Sequence, residues 1–264
     1  MHNEQNPASV RSVDKAMELI EALLSRRAPM TLRELSAAVG YPKSTVHALL
    51  STLRAHGMVA QNEDGRYTLG IRLFECGCAV SDSWDLSRTA RAYLEKLADE
   101  TDGSAFLSVL EDSYVISLDQ CTGGSGVQVI PEVGSRLPLH ATSQGKLLLS
   151  TLSDSEIAKR MERTGMAAYT PHTIADTETL LSRVAQIRQN GYAIEDGEYK
   201  IGLRAVSAPV YDVNGRVCCA IGVVGLFRKV SSEEFQRIIA QVVRQAARLS
   251  HALGYRTGKA PDIS

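Results

Sequence analysis

At 264 residues, with 44% hydrophobic and 22% charged side chains, the chain has the length for two globular domains and an ordinary globular composition. A formal charge of −1 argues against a protein that coats nucleic acid along its whole surface, so any affinity for DNA must be local. No apolar run approaches the roughly 20 residues that span a bilayer, and no charged and apolar leader is seen. The expectation is a cytoplasmic protein without a membrane partner.

Residues 1–9 are polar and are expected to be disordered, as are residues 257–264. Val13, Ala16, Met17, Ile20, Leu23 and Leu24 then recur at helical spacing and predict a helix with those residues inward, ending near residues 25–28 before Pro29.

Residues 31–57, TLRELSAAVGYPKSTVHALLSTLRAHG, carry the densest local signals. Thr31 and Glu34 have the spacing of a capping box, and Leu32, Leu35 and Val39 give the helix that follows an apolar face. Gly40 suits the left-handed residue that ends such a helix, and Pro42 suits the first turn of another. In this second helix Val46, Leu49, Leu50 and Leu53 form the inward stripe, leaving Lys43, Ser44, Thr45, His47, Ser51 and Thr52 on other faces. Residues 35–62 contain no Asp or Glu, as suits a surface set against phosphates. Two readings stand: a helix-turn-helix that delivers side chains to the major groove, or a helical hairpin whose small polar residues face water.

Met58 and Val59, then Tyr67 and Leu69, read as two short strands around an Asp64-Gly65 turn, which completes a winged helix. Arg66 is either a phosphate contact or an isolated surface arginine. The candidate DNA contacts are Thr31, Lys43, Ser44, Thr45, His47, Ser51 and Arg66.

Residues 71–83 read as the domain boundary, and residues 85–101 as a helix with Leu86, Ala90, Tyr93, Leu94 and Leu97 on one side. Residues 104–111 and 114–121 are strand-like around a hairpin at 111–113, and residues 122–126 read as a turn. Residues 139–149 have a small, polar start, HATSQGK, before an apolar LLL. Its helix-start amides either bind an anion or are simply capped, and Gly145-Lys146 lacks the spacing of a P-loop. Ser153 with Glu156 is a second capping box, and Leu180, Leu181, Val184 and Ile187 mark a helix closed by Gly191. Residues 192–195, 204–211 and 216–224 read as strands, the last two flanking Asn214-Gly215. Ser231 with Glu234 is expected to cap a final helix that turns Phe235, Ile238, Ile239, Val242, Ala246 and Leu249 inward and ends at Gly254. An antiparallel sheet with helices gathered beside it makes an α+β domain.

Cys76, Cys78, Cys121, Cys218 and Cys219 have neither the spacing of a zinc site nor the context of a disulfide framework, and core thiols are the simpler reading. No cofactor or metal is expected.

The segments SVDKAMELIEAL, TLRELSAAVGYPKSTVHALLSTLRAHGMV and YTLGIRLFECG, in that order, resemble the DNA-binding half of the IclR family of bacterial transcriptional regulators. RLPLHATSQGKLLLSTLS and GYAIEDGEYKIGLRAVSAPVYDVNGRVCCAIGVVG resemble its second half, so the likeness runs over residues 10–254. The resemblance implies a winged helix-turn-helix over residues 10–75, a linker and linker helix over 76–101, and a GAF-like α/β effector-binding domain with an antiparallel sheet over 102–256. It implies a double-stranded operator as one partner and a small organic acid as effector. Dimers would form through the DNA-binding domains and tetramers through the sensor domains. Carried over position by position, the anion-binding turn falls on Ser143 and Gln144, the facing acid on Glu195, and neighbouring pocket positions on Leu139, Ala205, Gly222 and Val224. Members that bind small keto acids have a Cys where Ala205 stands and serines where Gly222 and Val224 stand. The departure implies a roomier, less polar pocket and a bulkier ligand, aromatic or hydroxylated. Glu195 is otherwise read as an exposed residue beside the Gly191 turn.

A ligand-responsive regulator of a palindromic operator is therefore expected, acting as a repressor if it occludes a promoter or as an activator if it recruits RNA polymerase. The competing readings are a hydrolase-like enzyme using Ser143, His140 and Glu195, for which no GxSxG elbow is present, and a C-terminal domain that only mediates oligomerisation.

Overall fold

The computed structural model describes residues 10–83, 85–123 and 132–256. The ends read as disordered, 1–9 and 257–264, and part of the turn expected at 122–126 lie outside the described residues. The chain divides into two compact units, Met1–Trp84 and Asp85–Ser264.

In the first unit, helices α1 (Arg11–Arg26), α2 (Leu32–Val39) and α3 (Lys43–Ala55) precede a hairpin of β1 (Val59–Gln61) and β2 (Tyr67–Leu69). Thr31 caps α2 as expected: its hydroxyl accepts from the Glu34 amide at 3.2 Å, and its own amide donates to Glu34 Oε2 at 2.7 Å. Gly40 ends α2 in the left-handed conformation, and α3 begins at Lys43 rather than at Pro42. The proline is the cap residue, and its carbonyl accepts from the Val46 amide at 3.1 Å. Leu19, Leu23, Met30, Leu35, Val46, Leu50, Val59 and Tyr67 form the core.

Helix α1 meets its expected orientation only in part. Leu19 and Leu23 point inward, whereas Val13, Met17 and Leu24 are about half exposed. The periodicity is helical but the apolar residues cover more than the inward stripe: Leu23 is buried and Ala16 and Ile20 half-buried as expected, while Leu19, not among the residues expected inward, is fully buried. A second departure is α4 (Ile71–Ser83), a helix where only a boundary was expected. It carries Ile71 and Phe74 on its exposed surface, together with Cys76 and Cys78. The core-thiol reading therefore fails for those two cysteines; Cys121 and Cys219 are buried and Cys218 half-buried.

The second unit opens with α5 (Asp85–Thr101), at the bounds that its periodicity predicts. Its sheet is antiparallel throughout, in the order β5 (Arg136–Leu137), β4 (Tyr114–Thr122), β3 (Ser104–Glu111), β8 (Val217–Gly225), β7 (Arg204–Tyr211) and β6 (Ala193–Asp196). Helices α6 (Ser143–Leu149), α7 (Asp154–Thr164), α8 (Thr177–Asn190) and α9 (Glu233–Ala252) complete the unit. The helices lie on both faces of the sheet. Central strands β3, β7 and β8 are buried at nearly every position, so each face needs a cover. Helices α5 and α9 cover one face over a core that includes Leu94, Leu107, Val206, Ile221 and Phe235. On the other, Leu137, Leu147, Ile157, Leu180 and Ala220 form a core with α6, α7 and α8. Ser232, not Ser231, caps α9, its hydroxyl accepting from the Phe235 amide at 3.2 Å. Both serines lie close to an acidic pair, so the sequence alone does not separate them. Among the described residues no helix is long and apolar enough to cross a membrane.

Candidate nucleic-acid interface and effector site

On α3, Lys43, Ser44, His47 and Ser51 are exposed and Thr45 is half-buried. Ser44, His47 and Ser51 follow one another at helical spacing on the side away from Val46 and Leu50, so they share a stripe that can enter a groove. Thr31 is half-buried and engaged in the capping box, which leaves it oriented by the helix start. Arg66 is not the isolated arginine that the sequence left open: its guanidinium lies 3.6 Å from Glu34 and donates to the Pro29 carbonyl at 3.5 Å. Arg54, which the sequence reading did not single out, donates to Gln61 Oε1 at 2.5 Å and ties the end of α3 to the wing.

In the second unit, strand register decides which residues meet. Glu195 pairs with Ala205, Ala205 with Val224 and Val224 with Ser104, so these four share one rung. The next rung on the same face is Ala193, Ser207, Gly222 and Phe106. Helix α6 closes over this region: Ser143 Oγ lies 2.7 Å from Ser207 Oγ and donates to Gln144 Oε1 at 3.3 Å. Thr142 caps α6 by accepting from the Gly145 amide at 3.1 Å. Leu139 is buried beside it, and a Cβ on residue 145 would sit 2.3 Å from the Leu139 carbonyl oxygen, so only glycine fits there.

The expected pocket positions thus fall on one sheet face, on the helix above it, or, for Leu139, in the turn that leads into that helix. Glu195 is 5% exposed, which removes the reading of an exposed turn residue. Its Oε1 accepts from the Tyr199 amide at 3.1 Å, yet burial pushes its carboxyl up to about 7. The floor is apolar, with Phe106, Leu203, Ala205 and Val224 in one cluster. It is not simply roomier. A Cβ on Gly222 would lie 2.6 Å from Phe106 Cζ, so the phenyl ring occupies the space that a serine would take. A cavity of about 320 Å³ opens at the end of the first rung and touches Ser104 and Val224, along with Phe227 and Arg228.

Several residues of this region were not assigned to it from sequence, among them Phe106, Ser207, Lys146 and Glu198. Ser207 and Phe106 could have been found from the alternation of β7 and β3 once their registers were known. Lys146 and Glu198 form a buried ion pair between α6 and the segment after β6. Its one sequence signal is a lysine directly before the apolar run of Leu147, Leu148 and Leu149. Burial pulls the Lys146 ammonium down and the Glu198 carboxylate opposes it. The segment after β6 is fastened further by hydroxyls: Thr170 Oγ1 donates to the Gly197 carbonyl at 2.7 Å and Thr173 Oγ1 to that of Glu198 at 2.6 Å.

These contacts do not assemble a hydrolase. His140 Nε2 bonds to the Ala167 carbonyl at 3.0 Å while Ser143 engages Ser207, so no relay links serine, histidine and acid. Among the described residues no group of three or more His, Cys, Asp or Glu is placed to hold a metal.

Comparison with known proteins agrees with the two-unit architecture. Residues 12–63 match the IclR helix-turn-helix domain, and residues 78–251 match the family described as bacterial transcriptional regulator IclR C-terminal. The chain is similar to the HTH-type transcriptional regulator XynR of Escherichia coli, 32% identical over 93% of this chain and 98% of that protein. Among solved structures it is similar to an IclR transcriptional regulator from Alicyclobacillus acidocaldarius (29% identity, TM-score 0.79, covering 93% of this chain and 100% of that one). An IclR homolog from Microbacterium hydrocarbonoxydans, complexed with 4-hydroxybenzoate, shares the fold at TM-score 0.80 and 22% identity, covering 92% of this chain and 98% of that one. An N-terminal helix-turn-helix followed by an IclR-type C-terminal domain is a regulator's design and not an enzyme's, and the chain belongs to the IclR family of bacterial transcriptional regulators.

Proposed function

We propose that this regulator binds a palindromic operator as a dimer, in the cytoplasm, and releases or engages it in response to a small aromatic or hydroxylated acid. The observation that supports the ligand class is the convergence of Ser143, Glu195 and Ser207 on an apolar floor of Phe106, Ala205 and Val224. Hydroxyls and the start of α6 suit a carboxylate, the floor suits a ring or carbon skeleton, and Glu195 suits a hydroxyl. That a structural neighbour is complexed with 4-hydroxybenzoate agrees with this reading.

The DNA contacts are Thr31, Lys43, Ser44, Thr45, His47, Ser51 and Arg66, with Lys43 and Arg66 on phosphates and the α3 stripe on base edges. Arg66 would exchange Glu34 for a phosphate. A dimer places two such helices on successive major grooves, about 34–36 Å apart. Val13, Met17 and Leu24 on α1, with Ile71 and Phe74 on α4, supply apolar surface for that pairing. A tetramer would form through the sensor domains, and contact with RNA polymerase would make the protein an activator.

Thermal unfolding against a panel of acids tests the ligand class. Benzoate, 4-hydroxybenzoate and aliphatic hydroxy acids are expected to include a stabiliser, worth about 2.7 kcal/mol at one hundred times its dissociation constant. Stabilisation by two- or three-carbon keto acids alone would overturn this reading. For DNA, a fragment carrying the palindrome should retain binding at salt that abolishes binding to unrelated DNA, and equal salt sensitivity would refute operator recognition.

A further inference from the structure

Three charged side chains are shut away together beneath α6. Lys146, Glu195 and Glu198 are 0%, 5% and 6% exposed. Lys146 Nζ donates to Glu198 Oε1, and the other oxygen of that carboxylate, Oε2, is buried with no partner. The groups acting on the cluster come from every neighbouring element. Arg183 on α8 adds a weak positive field at Lys146. The segment after β6 contributes the Tyr199 and Lys200 amides toward Glu195, and the Tyr199 phenol lies within its field.

Two carboxylates therefore share one ammonium. If all three groups are charged, one negative charge is left uncompensated in a site closed to water, which is costly. An acidic effector would bring a second. Glu198 already holds Lys146 by direct contact, so Glu195 is the group that can relieve the excess by carrying a proton.

We propose that Glu195 is the proton-holding group of the effector site, and that an acidic effector binds together with that proton, the carboxyl O–H of Glu195 donating to the bound ligand. This rests on the acid-sensor reading above and adds what that reading leaves open, namely how a buried carboxylate tolerates an anion. Burial places the Glu195 titration at about 7, so the proton is present on the acid side of neutrality and must be taken from solution on the alkaline side. Above that point each pH unit should weaken effector affinity about tenfold, because binding then consumes one proton. The regulator would answer to the product of acid and proton concentrations, which rise together when an acid accumulates.

The test is thermal unfolding of the full chain and of Glu195→Gln from about pH 5 to about pH 8.5, with and without 4-hydroxybenzoate. Without ligand the sign follows from the raised value. The unfolded state loses its proton near 4.5 and the folded state near 7, so wild-type stability falls between those values and then levels. Glutamine cannot titrate, so the melting temperature of Glu195→Gln should gain on that of the wild type across the same window. A constant difference between the two proteins at every pH would overturn the proposal. Glu198→Gln gives a second reading: it frees Lys146 for Glu195 and should move the wild-type fall to lower pH, and an unmoved fall would count against the shared ammonium. With 4-hydroxybenzoate, stabilisation of the wild type should fade above pH 7 while that of Glu195→Gln persists; equal stabilisation of the wild type on both sides of pH 7 would overturn the proposal. Absence of stabilisation at any pH would strike 4-hydroxybenzoate from the effector class, and the ligand-free profiles would still decide whether Glu195 holds the proton.

Discussion

Strands β3, β7 and β8 of the second unit show different chemistry to their two sides. Toward α5 and α9 they present Ala105, Leu107, Val206, Ala208, Ile221 and Val223, all apolar and buried. Toward α6 the alternate residues are Phe106, Ser108, Ala205, Ser207, Gly222 and Val224, with hydroxyls and a glycine among them. The hydroxyl of Ser108 is buried there without a partner, a condition that core packing alone does not favour. A period of two thus lets one strand contribute to stability through one set of residues and, in the proposed function, to recognition through the other. Changes on the apolar side should be felt as stability, and changes on the polar side as stability and ligand preference together.

Breaking the polar side at its ion pair should have the largest effect. Lys146→Ala leaves Glu198 buried and unpaired and should cost about 3–5 kcal/mol in urea unfolding, while Lys146→Met with Glu198→Leu should recover most of that loss. Equal losses in the single and double variants would mean that the ion pair itself stabilises this side, because methionine restores the packing of the lysine stem and leucine removes the unpaired charge. On the apolar side, Leu94→Ala should cost about 2–5 kcal/mol and leave the order of effector preference unchanged. A changed order would show that the two faces are coupled through the sheet. Ser207→Ala should be the mildest, at about 0.5–1.5 kcal/mol, because it removes a hydrogen bond from Ser143 without emptying much volume. Its signature should be a change in the relative affinities of effector acids, and an unchanged ranking would confine Ser207 to a structural role.

Much of the fold was legible because its signals are local. The Thr31 and Ser153 boxes, the Gly191 stop and the Asn214-Gly215 hairpin each rest on residues within four positions of one another, and each appears in the structure. Helix α4 was missed for the same reason: its sequence carries a poor helix former, Gly77, in mid-helix, and Ile71 and Phe74 face outward, so no inward stripe announces it. The α1 face was drawn too wide because its apolar residues exceed what one small core can cover. In the proposed effector site, family likeness pointed to Leu139, Ser143, Gln144, Glu195, Ala205, Gly222 and Val224. Ser207 meets Ser143 across 64 positions of chain, and Glu198 meets Lys146 across 52. Contacts of that span leave no period and no spacing to read.

The two adjacent rungs that hold Glu195 and Ser207 form a grid with fixed coordinates, and a grid of this kind is edited differently from a loop. A single substitution at residue 205, 222 or 224 alters one cell and leaves the backbone in place. An inserted or deleted residue within β7 would exchange inward for outward along the rest of that strand, sending Ala205 and Ser207 to the α9 side and hydrophobic core residues into the pocket. New ligand preferences should therefore arise in this regulator by point change within the strands, while changes in length are tolerated only in the connections between them.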